Sequence, residues 1–480
     1  MNLLRTQPIE AARRESGMAL RRELSGYQLI LLGIGATIGA SVFVLTGTAA
    51  AQHAGPAIVL SFIISAASCL CTGLCYSEFA SMIPVAGSAY TYAYVTIGEL
   101  VAWIIGWDLI VEYLFGSATL AVGWSGYVVR FLSDFWINFP PLLCTAPFKF
   151  EDGHWLLTGA LLNLPALFIL LLASGILIIG IRESAAFNAF IVIIKVGVIV
   201  IFIGLCVPHV HAANWTPFIP ESFGKPGVFG WTGVFAGAGV IFFAYIGFDA
   251  LSTAAQEAKN PQQNMPIGII GSVLVCTVLY VLLSLVLTGV VSYKELNVST
   301  PISLAIERIG PSVAWIKPWI EVGAICGLSS VILVALMAQS RIFYRMAIDG
   351  LLPRVFASVH SRFRTPHLAT VITGLCAALL ATLMPIDVLA ELVSIATLLA
   401  FTIVCVGVIV LRRTRPDLER KFRTPCVPFV PLLGAVICIS QMVFQPVEIW
   451  ICLVIWLLIG IAIYFGYGCN RSRLNRDESL

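Results

Sequence analysis

The chain alternates long apolar runs with short polar intervals. Twelve runs of about 20 residues or more begin near Tyr27, Pro56, Gly98, Gly159, Ala185, Val228, Ile267, Ser312, Leu368, Ile386, Val427 and Ile449. A run of that length crosses the hydrocarbon core of a bilayer as a helix. The runs at 98–129 and 312–340 exceed the need, which predicts tilted or projecting helices. The expected fold is an all-α polytopic membrane protein with twelve transmembrane helices. The intervals are too short to hold a soluble domain. The longest, about 131–158 and 208–227, are rich in Pro, Trp and Phe and suit caps over a vestibule or interfacial segments. A turn cluster with two prolines, 257–266, separates the sixth and seventh runs.

Two runs are interrupted from within. Residues 33–41 read Gly-Ile-Gly-Ala-Thr-Ile-Gly-Ala-Ser near the middle of the first run. Each glycine weakens a helix by roughly 1 kcal/mol, so the stretch invites unwinding. A second interruption, Phe242-Phe-Ala-Tyr-Ile-Gly-Phe-Asp249, lies in the sixth run. Loose backbone at membrane depth is tolerated where it is buried in protein or lines a watery cavity. Glycine-rich faces for close helix packing explain either stretch alone, but their matching positions favour a binding site. The chain then divides into a polar segment (1–26), runs one to five (27–207), runs six to ten (228–411), an added pair (427–468) and a polar tail (469–480). Five is odd, so the second group enters from the opposite side. The expectation is a five-plus-five inverted repeat with broken helices 1 and 6, plus two extra helices.

A broken helix leaves N–H groups free on one stub and C=O groups on the other. The first suit an anion and the second a cation, so a facing pair of breaks suits a zwitterion such as an α-amino acid. Thr37, Gly39, Ala40 and Ser41 are the candidate N–H donors to a carboxylate, and Phe243, Ala244 and Ile246 the candidate carbonyls for an ammonium. Lys195 lies near the centre of the fifth run, too deep to reach the interface easily. Burial disfavours its charged form, which suits a proton-coupling residue, with a static interhelical tether as the alternative. Asp108 and Glu112 share one face of the third run and are candidates for a proton path or for neutralising Lys195; structural polar contacts are an equal reading. Asp249 combines a carboxylate with released backbone, as a substrate contact or as an ordinary cap. Glu78, Glu321 and Glu391 lie toward run ends, where solvated or gate-pairing roles are the default. Tyr90, Tyr92 and Tyr94 read as a membrane-interface cluster.

Composition narrows the options. The chain is 59% hydrophobic and 11% charged, which excludes a soluble globular protein of 480 residues. With the N-terminus inside, inner segments carry 21 of the 28 Lys and Arg, outer loops six, and Lys195 is the remainder. The basic balance therefore records topology and requires no nucleic acid. No cleavable leader is expected, because the first 26 residues are polar and the first apolar run is a full span. Thirteen cysteines fall mostly within the runs as small apolar fillers, so neither a disulfide framework nor a metal site is expected. Two enzyme-like strings fail: Gly33-x-Gly35-x-x-Ile38 lacks the third glycine of a dinucleotide fingerprint. Gly123-Trp-Ser-Gly126 has no histidine at mid-span to serve as a base.

Leu32-Gly-Ile-Gly-Ala-Thr-Ile-Gly39, Pro84-Val-Ala-Gly-Ser-Ala-Tyr-Thr-Tyr92 and Phe243-Ala-Tyr-Ile-Gly-Phe-Asp249 resemble the amino acid–polyamine–organocation transporters. Asn260-Pro to Met265-Pro and Arg341 to Pro353 extend the match over about residues 18–468, nearest to the cationic amino acid transporter branch and its short bacterial members. The resemblance implies amino acid uptake coupled to protons by alternating access, in a bacterial inner membrane with both termini cytoplasmic. It implies that the first break binds substrate carboxylate, the sixth the amino group, and that Lys195 stands where relatives bind sodium. No enzymatic activity or cofactor is expected, the proton being the coupling ion. The expected partners are an amino acid, with a cationic one among the options, protons and the lipid bilayer; the sequence assigns no oligomeric state. Gly39-Ala40-Ser41 departs from the Gly-small-Gly ending common in the family and bears on selectivity. Gly327, Ser330 and Ala335 are small residues that would leave room for a longer side chain. An exchanger on the same fold and a non-transporting sensor are the rival readings.

Overall fold

The computed structural model describes residues 24–39, 41–82, 88–151, 154–179, 185–222, 224, 226–256, 258–363 and 365–474. The expectations for Ala40, the side chain of Ser41, most of the N-terminal segment and the last six residues lie outside them. Helix makes up 78% of the described residues. Among the described residues, eight helices are long and apolar enough to cross a membrane, and four shorter apolar ones join them. The chain is thus a multi-pass helical membrane protein.

The first broken element comprises α1 (Gly26–Thr37) and α2 (41–54), whose short α-helical middle lies between π-helical turns at Ser41–Leu45 and Ala50–Ala54. A capping box starts α1: the Gln28 N–H donates to the Ser25 hydroxyl at 3.4 Å, and the Ser25 N–H to the Gln28 side chain at 2.9 Å. Then follow α3 (Ile58–Met82), the short α4 (Ser88–Thr96), α5 (99–134), α6 (Leu164–Ile179) and α7 (Ala185–Cys206). The second broken element starts with α8 (Gly230–Ile241) and unwinds through 3₁₀ turns at Phe242–Tyr245 and Asp249–Gln256. After it come α9 (Pro261–Val290), α10 (Pro301–Ile309), α11 (Lys317–Ile348), α12 (His367–Leu383), α13 (Ile386–Thr414), α14 (Phe429–Val443) and α15 (Val447–Ile463).

Small residues and hydroxyls bring these helices together, as expected where lipid is no worse a solvent than a neighbouring side chain. A methyl added at Gly33 would lie 2.6 Å from Ser272, and one at Gly268 2.7 Å from Leu29, so α1 and α9 nearly touch backbones. The hydroxyls of Ser61 and Ser65 on α3 donate to the carbonyls of Val234 and Ala238 on α8 at 2.7 and 2.8 Å. The 131–158 connection folds partly into a hairpin, Phe148–Glu151 against His154–Leu157.

Three expectations shift. The two prolines of the 257–266 cluster belong to α9, because Pro261 takes the first helical position, where the missing N–H costs nothing. The turn is shorter and ends at Asn260, which is left-handed (φ 45°). Tyr90, Tyr92 and Tyr94 are buried rather than interfacial. Tyr90 donates to Asp349 at 2.9 Å and stacks on Tyr94, while Tyr92 stacks on Phe79.

Glu78 is not solvated either. Its buried carboxylate accepts from Arg412 at 2.7 and 3.1 Å and from the Thr424 N–H at 2.7 Å, with Arg420 Nε 3.3 Å away. One carboxylate thereby holds the ends of α3 and α13 and the loop after α13. At the opposite face Arg130, Glu307, Lys317 and Asp134 form an ion-pair network in which Arg130 and Glu307 are more than a third exposed. Breaking a buried pair from one side costs about 3–5 kcal/mol, an exposed pair up to about 1. Glu78→Gln is therefore expected to lower the thermal midpoint of the detergent-solubilised protein far more than Glu307→Gln does.

Candidate functional site

The first interruption is shorter and later than the glycine pattern predicts. α1 continues through Gly33 and Gly35 to Thr37, and the chain leaves the helix at Ile38 (φ −72°, ψ 100°) and Gly39 before α2 starts at Ser41. Gly33 serves packing against α9, so the alternative reading is correct for that residue. The second interruption spans Ile246 (ψ 136°) to Phe248. The two elements run antiparallel. At one end the Phe229 N–H donates to the His53 carbonyl at 2.8 Å. At the other, Gly247 has φ 119°, a conformation open to glycine, and a methyl there would lie 2.5 Å from the Ala36 carbonyl oxygen. The breaks face each other at van der Waals contact.

Beside them lies a small, partly open cavity. The broken elements contribute Ala36, Thr37, Gly39, Phe243, Ile246, Gly247 and Ala250. The facing wall is α5, with Glu112, Tyr113, Gly116 and Leu120, and α11, with Val331, Val334 and Ala335. Of the sequence candidates, Thr37, Gly39, Phe243, Ile246 and Glu112 thus share one cavity, whereas Ala244, Asp249, Asp108 and Lys195 stand behind its wall. Of the small residues on α11, Ala335 lines the cavity. Gly327 instead packs against the Lys195 side chain, and the Ser330 hydroxyl donates to the Gly327 carbonyl.

Of the groups behind the wall, Lys195 and Asp249 engage released backbone. Lys195, fully buried on α7, donates from Nζ to the carbonyls of Gly35 (2.9 Å) and Ile38 (3.2 Å), the terminal acceptors of α1. Cations are favoured at that end of a helix. The Tyr280 hydroxyl on α9 lies 3.0 Å from the Ala244 carbonyl and 3.3 Å from that of Thr37, bridging both breaks. Ala244 is therefore already partnered, as is Phe243, whose carbonyl accepts from the Ile246 N–H at 3.3 Å. Among the described residues nothing donates to the Ile246 carbonyl. Asp249 accepts from the Gly247 N–H at 3.0 Å and from the Tyr113 hydroxyl at 2.8 Å, which is capping chemistry. Glu112 reaches the cavity and lies against Asp249 and Thr397 behind it.

Sequence reasoning missed Tyr113, Tyr280, Leu120, Val331 and Val334. Residues 111–115 form a π-helical turn, which brings both Glu112 and Tyr113 to the cavity wall. No residue type in that stretch announces such a turn, and an aromatic in an apolar run looks like core. Gly247→Ala is expected to cost about 1–3 kcal/mol in backbone strain alone and to lower the thermal midpoint. Gly175→Ala, where the added methyl meets nothing within 4 Å, should leave the midpoint unchanged or raise it slightly.

Comparison with known proteins agrees with this architecture. The family model described as amino acid permease matches residues 24–467. The methylthioribose transporter of Bacillus subtilis (strain 168) is 45% identical over 477 residues, covering 99% of this chain and 100% of that protein. The branched-chain amino acid permease BcaP of the same organism is 44% identical over 462 residues, 95% of each chain. The vacuolar cationic amino acid transporter 2 of Arabidopsis thaliana is 38% identical over 423 residues, 87% of this chain and 64% of that protein. With a match that runs through both helix breaks and nearly every span, the chain belongs to the amino acid permease family, within the amino acid–polyamine–organocation superfamily that its motifs resemble.

Proposed function

We propose that the chain is a secondary active amino acid importer of the cell membrane, coupled to protons and working by alternating access. The observation that carries this reading is the pair of hydrogen bonds from Lys195 to the Gly35 and Ile38 carbonyls. A protonated lysine offers three donors, and charge-assisted bonds contribute about 1.5–3 kcal/mol each. Deprotonation leaves two N–H donors but removes the charge assistance, and losing about 1.4 kcal/mol of it shifts the helix equilibrium roughly tenfold. Protonated Lys195 holds the end of α1 in place, which presents the first N–H groups of α2 to a substrate carboxylate. The Ile246 carbonyl is the available acceptor for the ammonium. By linkage, proton binding then favours substrate binding and the reverse.

The substrate side chain points to the α5–α11 wall. Leu120, Val331, Val334 and Ala335 make that wall apolar. Asp249 is committed to Gly247 and Tyr113, so of the two carboxylates that would attract a cation Glu112 alone faces the cavity. A neutral aliphatic amino acid fits better than a cationic one. A second reading has a specific basis in the methylthioribose transporter at 45% identity: the apolar wall suits a methylthio group, and Glu112 would accept from sugar hydroxyls.

Twelve spans in an inverted repeat, 27–207 against 228–411 with 427–468 added, remain part of the proposal. The antiparallel pairing of the broken elements supports them, and the Lys and Arg distribution supports cytoplasmic termini.

In proteoliposomes Lys195→Ala is expected to abolish pH-gradient-driven uptake; uptake that keeps its full proton dependence would sink the coupling role. A thermal-shift screen of the purified protein separates the substrates. A ligand at 100 times its Kd stabilises the native state by about 2.7 kcal/mol. Leucine, isoleucine and valine are expected to raise the midpoint, and lysine and arginine not to. A shift with methylthioribose and with no amino acid selects the second reading.

A further inference from the structure

Between the cavity and the 350–363 loop, two buried polar side chains have no protein partner among the described residues. Asp108 is 1% exposed, and neither carboxyl oxygen is hydrogen-bonded. Gln339 is fully buried, and neither its carbonyl oxygen nor its amide nitrogen is paired. Both continue the faces that line the cavity, Asp108 one turn before Glu112 on α5 and Gln339 one turn beyond Ala335 on α11. These helices run antiparallel, with Trp124 donating to Ser329 at 2.9 Å and Gly106 against Met346. That register sets Gln339 level with Glu112 and Asp108 about one turn further along, between them and the Gly106–Met346 contact. Glu112 Oε1 is also unpaired among the described residues.

Buried polar groups left unpaired by protein are the places where ordered water binds, since one water satisfies two to four of them. A primary amide supplies two donors and an acceptor, and a carboxyl group exchanges a proton with the water it holds. We propose that Asp108 and Gln339 hold a small cluster of ordered water through which a proton passes between Glu112 and the cytoplasmic side, with Asp108 as the carrier. During import Glu112 gives its proton to a water of the cluster, an Asp108 oxygen takes it from the resulting hydronium, and Asp108 releases it through water to the cytoplasmic side. Only O–H bonds are made and broken, and one proton moves. Gln339 is a positioning residue that orients the water.

Several other titratable groups on the packed elements are engaged elsewhere, whereas the Tyr92 hydroxyl on α4 is buried without a hydrogen-bond partner among the described residues. Tyr90 on α4 and Arg345 on α11 are held by Asp349, Tyr113 by Asp249, Arg412 on α13 by Glu78, and Tyr464 just after α15 by Glu99. Glu112, one turn along α5, interacts electrostatically with Asp108.

This inference rests on the proton-coupled reading, and the test separates the two. Wild type, Asp108→Asn and Gln339→Leu are reconstituted with an internal pH dye and labelled leucine, or labelled methylthioribose if that alone is taken up. Asp108→Asn is expected to lose about a hundredfold in dye-reported proton flux and gradient-driven accumulation. Exchange of external labelled for internal unlabelled compound, which needs no net proton, should stay within about twofold. Gln339→Leu should lower proton flux in the same selective way, and Asp108→Glu should restore part of it. A coupled wild type with an unaffected Asp108→Asn overturns this inference alone. Loss of exchange together with flux overturns it in favour of a structural role. Uptake by wild type without proton movement overturns the coupling reading and this one with it.

Discussion

Backbone that leaves a helix inside a membrane has no water to turn to, and the protein must satisfy it from side chains or leave it for a ligand. Around the two breaks the satisfaction is partial and selective. Lys195 takes the carbonyls of Gly35 and Ile38, Tyr280 lies between those of Thr37 and Ala244, and Asp249 takes the Gly247 N–H. The Ile246 carbonyl accepts from none of the described residues, and Ile246 lines the cavity. What is left unsatisfied defines what the site can bind, and what is satisfied holds that remainder in place.

This division explains why the residues behind the wall matter as much as those on it. Tyr280 binds both breaks at once, so a movement of α1 relative to the second broken element must pass through its hydroxyl. Asp249 reaches across to Tyr113 on α5 and thus joins the broken elements to the facing wall. Gly247 permits the close approach that makes these bridges short. The cavity can be small and mostly apolar because its polar work is carried out by backbone.

The ends of the bundle follow a different rule. Glu78 with its two arginines at one face, and Lys317 with Asp134 and Glu307 at the other, are charge clusters that tie neighbouring helices outside the apolar layer. Charges are held there by partners of opposite sign, whereas in the apolar layer Lys195 is held by carbonyls.

Apolar run length alone determined the helical membrane class, and most helix starts fall within three residues of the runs, because a span must hide its backbone whatever its neighbours are. Glycine density located the first break to within a turn, and the depth of Lys195 marked it for a special role, since each is a local cost visible in one dimension. The motifs carried the family. Tertiary structure decided the rest. Whether Gly33 unwinds or packs depends on Ser272, some 240 residues away in sequence. Whether Asp249 meets a ligand or caps Gly247 depends on where Tyr113 arrives, and that depends on a π-helical turn with no signature of its own. The apolar character of the cavity wall emerged only when α5 and α11 were set in register, because side-chain facing in an all-apolar helix has no periodic signal in the sequence.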